Sequence, residues 1–405
     1  MTAGTQAILS GFRPIIIQPP ARQDALLGYS AWLLAAARCA AAQTRSQDSA
    51  DRIFAETREA VARFGVKPEH LTRRQFCAFP GDERGLGADG GAPELPPVFA
   101  DLRSSPAGPT IDRRMRDSVI VALEVFRRWY AEQPQAPDHL LHVSCSGYAS
   151  PSAAQRLASE RGWQQTTITH CYHMGCYAAF PAIRTAIGLL APSVLSAAGR
   201  QGRVDIVHTE YLSLHFNPLL REPGNIIDST LFADGFIGYS AYTEEAFARS
   251  SAAGLRVLAH HEALIPRTLD EMSWELGPHQ FEMYLSKNVP LAIEQALAGF
   301  VQTLCARAGL GLERDKHRIL FAIHPGGPKI LDHARAALGA NESQIRHSRS
   351  VFQALGNMSS ATIPHVLMRL LADETVPAGT PVVTVAFGPG LTATGLVLET
   401  LHPSS

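Results

Sequence analysis

At 405 residues and 46% apolar content, the chain can fill a sizeable core as two ordinary domains or as one large α/β unit. Its 36 lysines and arginines nearly balance 37 aspartates and glutamates, which leaves no ground for a nucleic-acid binder or a membrane-surface protein held by charge. No uninterrupted apolar run approaches the roughly 18 to 20 residues of a membrane span, and the stretch 186–198 is short and carries Pro192. The start, 1–20, lacks a basic flank before a continuous apolar stretch, so it does not read as a secretory signal and a cytoplasmic address is expected. Six scattered cysteines (Cys39, Cys77, Cys145, Cys171, Cys176 and Cys305) form no dense framework and are expected as free thiols.

In chain order, apolar residues recurring every three or four positions predict helices over Tyr29 to Ala42 and Asp51 to Phe64. Between Phe79 and Pro97, five glycines and four prolines interrupt any period, and the stretch reads as an exposed loop. Strands and helices then alternate: a helix over Ser118 to Glu132, a strand over His139 to Val143 and a helix over Ser152 to Arg161. Further strands are expected at Val204 to His208, after a long helix beginning near Cys176, and at Arg318 to Ala322 and Val382 to Phe387. This alternation implies a layered α/β architecture, with β, α, β order in both halves.

Within His170-Cys-Tyr-His-Met-Gly-Cys176, the last cysteine follows a glycine and leads into small residues and an apolar helix. A thiol there would lie at a helix N-terminus, where backbone N–H groups and the dipole favour the thiolate that attacks thioesters. A buried structural thiol is the plain alternative. His170, Cys171, His173 and Cys176 also raise a metal site. Their spacing matches no finger-like pattern, and so tight a cluster cannot present four ligands tetrahedrally without strain, so no metal is expected.

Further on, Ile323-His324-Pro-Gly326-Gly327-Pro328 places a histidine where an apolar strand meets a rigid turn. Gly356-Asn357-Met-Ser359-Ser-Ala puts an amide ahead of a helix over Ile363 to Leu371, where Asn357 or Ser359 could equally be an N-cap. Phe387-Gly-Pro389-Gly-Leu-Thr ends a strand in a tight turn.

Together, the Gly175-Cys176 segment, His324-Pro-Gly-Gly-Pro, Gly356-Asn-Met-Ser-Ser-Ala and Phe387-Gly-Pro-Gly-Leu-Thr resemble, in order and approximate spacing, the type III polyketide synthases of the thiolase superfamily. The resemblance spans roughly Arg63 to Leu398, is strongest after Lys316 and is weak over the first fifty residues. It implies a layered αβαβα fold with two pseudo-equivalent halves, 1–245 carrying the cysteine and 246–405 carrying the histidine and asparagine. It also implies a homodimer that needs no cofactor and takes acyl-CoA and malonyl-CoA, with an acyl carrier protein as the other candidate donor, and no nucleic-acid or membrane partner. In the family roles Cys176 carries the acyl chain, while His324 and Asn357 polarise the thioester carbonyl and stabilise the enolate left when malonyl loses carbon dioxide. An imidazolium at His324 would also lower the pKa of Cys176.

Phe232 matches the family's gatekeeper between tunnel and cavity, with core packing as its plain alternative. Arg63 and Lys67 match basic positions that grip coenzyme A phosphates, and the third falls on Ala60. Gly326 and Gly327 are assigned to the same ligand, and Ser359 and Pro389 to the substrate pocket. Departures concentrate in that pocket: Cys145 and His215 stand for threonines, Met283 for a second gatekeeper phenylalanine and Asp228 for a glycine. Met283 should open an aromatic wall to an extended aliphatic starter, whereas Asp228 and His215 add polar groups that need partners if buried. The alternative is a ketosynthase joining two preformed acyl chains, like the initiating ketoacyl-carrier-protein synthases. Those show His-Gln-Ala-Asn and a Gly-Gly-Gly-type turn where this chain has His-Pro-Gly-Gly-Pro and Gly-Pro-Gly.

Overall fold

The computed structural model describes residues 7–191, 202–250 and 252–402. Its strands are β1 (Ile8–Pro14), β2 (Ala21–Arg22), β3 (Arg73–Arg74), β4 (His139–Ser144), β5 (Thr167–Tyr172), β6 (Arg203–Glu210) and β7 (Gly235–Tyr242). They continue with β8 (Gly254–Leu264), β9 (Met272–Leu276), β10 (Phe281–Leu285), β11 (Leu320–Ile323), β12 (Pro381–Gly388) and β13 (Thr392–Leu401). Nine of these form one sheet in the order β11-β12-β13-β8-β1-β7-β6-β4-β5. β4 pairs in parallel with β5 and β6, and β11 with β12, while β1 joins the two sides antiparallel to both β7 and β8.

The period of two along buried strands sends alternate side chains into different cores. Leu141 and Val143 of β4, and Val382 and Ala386 of β12, pack with Ile183 and Val366 of the helices Ala179–Leu189 and Thr362–Leu371. Val383, Val385 and Phe387 of β12 point the other way, onto the helices Val289–Arg307 and Pro328–Leu338. Leu140 of β4 likewise meets the helices Ile111–Trp129 and Ala153–Arg161. The result is a central helix pair between two sheet halves, each covered outside by further helices, which is the αβαβα layering with its two similar halves. Cys176 immediately precedes one central helix and Asn357 the other.

The expected helices form with shifted ends. The first two are Gln23–Ala41 and Gln47–Phe64, and the third begins at Ile111 rather than Ser118. Its first turns are highly charged and carry no apolar period, yet Arg114 is fully buried there and donates to the carbonyls of Ala107, Leu214 and Phe216. The helix Ala153–Arg161 starts with a capping box between Ser152 and Gln155. The helix near Cys176 runs to Leu189, and 192–201, which includes most of the apolar run carrying Pro192, lies outside the described residues.

The segment 79–97 is less exposed than its composition suggests. Phe79 and Leu86 are buried against the first helix, and Tyr29 donates its hydroxyl to the Glu94 carbonyl at 2.6 Å. Two apolar anchors outweigh the glycines because each buried side chain is worth about 1.5–3 kcal/mol. One helix, Val289–Arg307, is long and apolar enough by length and composition to span a membrane. Its buried side, including Ile293, Leu297, Val301 and Leu304, packs on the sheet.

Candidate active site

Cys176 lies in a 3₁₀ turn, Gly175–Tyr177, that leads into the helix Ala179–Leu189. Gly175 has φ +74°, and a Cβ there would come within 2.7 Å of Pro389 Cδ, so glycine is required where this loop passes the turn after β12. Gly388 is equally constrained: a Cβ would fall 2.1 Å from Tyr177 Cδ1. Cys145 secures the loop from below, its thiol donating to the Gly175 carbonyl at 3.1 Å. Cys176 keeps partial contact with solvent although protein surrounds its sulfur, and burial pushes the thiol up to about 12. Hydrogen bonds from Ser359 and Asn357 pull in the opposite direction, and the nearby Glu210 charge adds to the rise. The expected thiolate is therefore not the resting state, because loss of solvation outweighs the turn's N–H groups.

His324 ends β11 and is anchored by its backbone N–H to the Val385 carbonyl at 2.8 Å. Its imidazole is buried, and among the described residues neither ring nitrogen has a hydrogen-bond partner. Burial lowers its pKa to about 3, so the ring is a neutral imidazole rather than the expected imidazolium. A buried polar group left unpaired costs about 1–3 kcal/mol, which a hydrogen-bonding ligand would recover.

Asn357 touches both segments. Its Oδ1 accepts the Ser359 N–H at 2.9 Å, which leaves Nδ2 as the donor, reaching the Gly326 carbonyl at 3.5 Å and hydrogen-bonding toward Cys176. This bond holds Ser359 at φ +49°, a left-handed conformation uncommon for a side chain other than glycine. The helix-capping alternative is not met, because the helix Thr362–Leu371 begins after Ala361 with no side-chain cap, and the bond from Ser359 is a local turn contact. At Gly356 (φ +79°) a Cβ would fall 3.1 Å from the Leu231 carbonyl, and the following Asn357 forms a bridge with Phe232.

Phe232, His215, Asp228 and Met283 converge on one cavity of about 280 Å³, together with Phe76, Phe216, Trp274 and Phe281. Met283 pairs across the β9–β10 hairpin with Trp274. The aromatic wall expected to be lost at Met283 is supplied by Trp274 and Phe281, which pack on His215 at ring separations of 5.5 and 4.5 Å. His215 is fully paired: Nδ1 accepts the Phe281 N–H at 3.0 Å, so Nε2 donates to the Ser146 carbonyl at 2.7 Å. Cys145, Ser359 and Pro389 lie around the cysteine loop instead of lining this cavity. A Cβ on Gly327 would lie 3.8 Å from Leu231 Cδ1, at the end of the helix Pro223–Leu231.

Arg63 and Lys67 lie outside the cavity lining. Arg63 is exposed, its guanidinium 5.1 Å from the Phe64 ring centre, and Lys67 donates to the Ala62 carbonyl. The adjoining Val66 N–H donates to Thr230 Oγ1 at 3.0 Å, joining this surface to the helix that carries Asp228. Of the residues weighed as metal ligands, His170 binds Ser152 Oγ, His173 binds the Trp274 carbonyl and Cys171 is buried in the core.

Several contributors escaped the sequence reading. Glu210, fully buried, accepts from Ser360 Oγ, the Cys145 N–H (2.9 Å) and Ser146 Oγ (3.2 Å), and burial raises its pKa. Because Ser360 donates to Glu210, it accepts from His208 Nδ1 at 2.9 Å, which leaves His208 Nε2 to accept from Tyr239 at 3.2 Å. Arg74, buried, donates to the Ser229 carbonyl (2.9 Å) and the Phe232 carbonyl, fixing the end of the helix that presents Phe232. The only signal for Glu210 was a carboxylate closing a strand built around Val204, Ile206 and Val207. Arg74 carried none, because its partners Gln23, Ser229 and Phe232 are all more than 50 residues away in sequence.

The layered fold and the meeting of cysteine, histidine and asparagine loops define a thiolase-fold protein. A family model, chalcone and stilbene synthases, C-terminal domain, matches residues 256–402. The chain is 28% identical over 285 residues to 1,3,6,8-tetrahydroxynaphthalene synthase of Streptomyces coelicolor, covering 70% of this chain and 68% of that protein. It is 28% identical over 265 residues to "Probable polyketide synthase 1" of Dictyostelium discoideum, covering 64% of this chain but only 8% of that much longer protein. The C-terminal type III polyketide synthase domain of Steely1, from Dictyostelium, superposes with a TM-score of 0.75 at 22% identity over 97% of this chain and 99% of that one, a likeness of fold. Over 256–402 the chain carries the chalcone and stilbene synthase C-terminal domain, and it is similar to type III polyketide synthases.

Proposed function

We propose that the protein catalyses decarboxylative Claisen condensation of an acyl thioester with malonyl-derived units and cyclises the product to a pyrone or resorcinol-type ring. The observation that carries this is Asn357, whose Nδ2 reaches toward the Cys176 thiol and the Gly326 carbonyl of the His324 turn, beside a largely aromatic cavity.

The resting pair is a thiol and a neutral imidazole, so attack on the starter thioester requires the Cys176 proton to pass to His324. Sulfur then forms the acyl bond, and the departing thiolate takes that proton. A malonyl thioester next loses its carboxylate as carbon dioxide, and the electron pair of the broken C–C bond moves onto the thioester oxygen as an enolate. Asn357 Nδ2–H and the His324 N–H donate to that oxygen in a dry site, where such donors are most effective. The enolate carbon attacks the Cys176-bound carbonyl, a C–C bond forms, the C–S bond breaks and the cysteine sulfur is released. No metal or redox cofactor is needed, since decarboxylation itself generates the carbanion.

In this reading Phe232 separates the entry from the chamber, and Met283, His215 and Asp228 shape the starter pocket. Cys145, Ser359 and Pro389 support the cysteine loop, while Arg63, Lys67, Gly326 and Gly327 receive coenzyme A along the surface leading to the helix Pro223–Leu231. Acyl-CoA and malonyl-CoA are the substrates, the assembly is a homodimer and the location is cytoplasmic.

The test is incubation with radiolabelled malonyl-CoA and starters from acetyl-CoA to lauroyl-CoA, with coumaroyl-CoA as a planar comparison, read by product mass spectrometry. Each methylene buried in an apolar pocket is worth about 0.8 kcal/mol, so two should change relative loading by roughly tenfold in favour of longer aliphatic starters. Cys176→Ala should lose acyl loading in intact-protein mass spectra. A covalent acyl group on that variant, or no labelled product with any starter, overturns the assignment.

A further inference from the structure

Most polar side chains around the cavity are paired within the protein. His215 uses both ring nitrogens, Trp274 Nε1 donates to the Cys145 carbonyl at 2.7 Å, and Ser229 Oγ donates to the Ile226 carbonyl at 3.1 Å. Asn217 donates to Gln280 Oε1 at 2.9 Å and accepts the Leu219 N–H at 3.0 Å. Asp228, Asn225 and Glu282 have neither a side-chain hydrogen bond nor an ion pair among the described residues, and of the two carboxylates Glu282 is exposed whereas Asp228 is half-buried in the cavity wall. The Asp228 backbone carbonyl accepts the Phe232 N–H at 3.0 Å, which puts the two side chains one helical turn apart, about 6 Å along the axis. Phe232 in turn bridges through its backbone to Asn357, so along the chain the gatekeeper position lies between Asp228 and the asparagine loop. A chain anchored at Cys176 and extending past Phe232 would meet the Asp228 carboxyl.

We propose that Asp228 is a specificity-determining residue that selects acyl groups bearing a hydroxyl along the chain over plain alkyl groups, by hydrogen bonding that hydroxyl inside the cavity. Leaving a polar group buried without a partner is costly, and a ligand hydroxyl removes that cost where an alkyl chain deepens it. Burial raises the carboxyl pKa to about 7, so near neutrality it can accept the hydroxyl hydrogen as a carboxylate or exchange roles with it as an acid. The other titratable residues of the lining are His215, which is neutral and fully paired, and Glu282, which is exposed. Burial is the sole cause of the Asp228 shift, so no cation competes for it.

The proposal rests on the acyl-thioester reading of the cavity, and the experiment separates the two by measuring binding without turnover. In the full-length Cys176→Ala protein, calorimetry gives Kd for octanoyl-CoA and for hydroxyoctanoyl-CoA isomers with the hydroxyl at successive carbons. At least one isomer should bind about tenfold more tightly than octanoyl-CoA. Adding Asp228→Ala should abolish that preference, weakening the hydroxy ligand and tightening the alkyl one, while Asp228→Asn, which can still hydrogen bond, should keep part of it. Equal affinity for all isomers, or a preference that survives Asp228→Ala, overturns the proposal and leaves the condensation reading standing. Binding of no thioester overturns both. A preserved preference pattern in a wild-type protein that makes no labelled product would sustain the role of Asp228 while refuting condensation.

Discussion

Asp228→Asn should reverse a pH-dependent loss of stability. The carboxyl titrates at about 7 in the folded chain and near 3.9 when unfolded, about 3 units at roughly 1.36 kcal/mol each, or about 4 kcal/mol when fully ionised. The residue is half-buried, and residual hydration reduces this to about 2 kcal/mol. A folded pKa raised above the unfolded one means that the native state holds more protons between about pH 4 and 7, so stability falls as pH rises through that window. The asparagine variant carries no such charge. With an unfolding entropy of about 2.1 cal/mol/K per residue over 405 residues, 2 kcal/mol corresponds to about 2 °C in Tm. His215 titrates near 3, outside the window, and Asp234, raised by burial to about 6, is present in both proteins and cancels in the comparison. Scanning calorimetry from pH 4.5 to 8 at constant ionic strength should show the variant gaining about 2 °C on the wild type. Parallel Tm curves would show that the carboxyl is not buried as described.

Asn357→Ala should lower kcat for condensation by about 10²–10³, the usual cost of removing one oxyanion donor, while starter still loads onto Cys176 in intact-protein mass spectra. Unchanged kcat would remove Asn357 from the chemistry. A homodimer, as the family resemblance implies, should give twice the single-chain mass by light scattering at micromolar concentration. Exposed apolar residues such as Ile120 and Tyr148 are consistent with further covering, and a stable single-chain species would refute the expectation.

Elements with a strong local signal could be read from sequence because local chemistry decides them. The central strands β4, β6 and β12 each cluster Leu, Val or Ile in a short run, and Gly175, Gly356 and Gly388 mark places where a side chain cannot fit. The cysteine, histidine and asparagine motifs were visible because each joins a reactive side chain to such a turn. Where charge masked the period, as at Ile111 to Asp117, the boundary moved, because long-range bonds from Arg114 stabilise turns that propensity alone does not.

Sequence by itself therefore determined the layered architecture, the loops that hold Cys176, His324 and Asn357, and the identity of the cavity residues Phe232, His215, Met283 and Asp228. Tertiary structure decided the protonation of the site and which polar groups remain available. Burial keeps Cys176 a thiol and His324 a neutral imidazole, against the expectation from the local turn. His215 is silenced by partners 66 and 69 residues away, and Asp228 is left without one. Desolvation and pairing depend on atoms that the fold brings together from distant segments, and no local pattern in the chain encodes them.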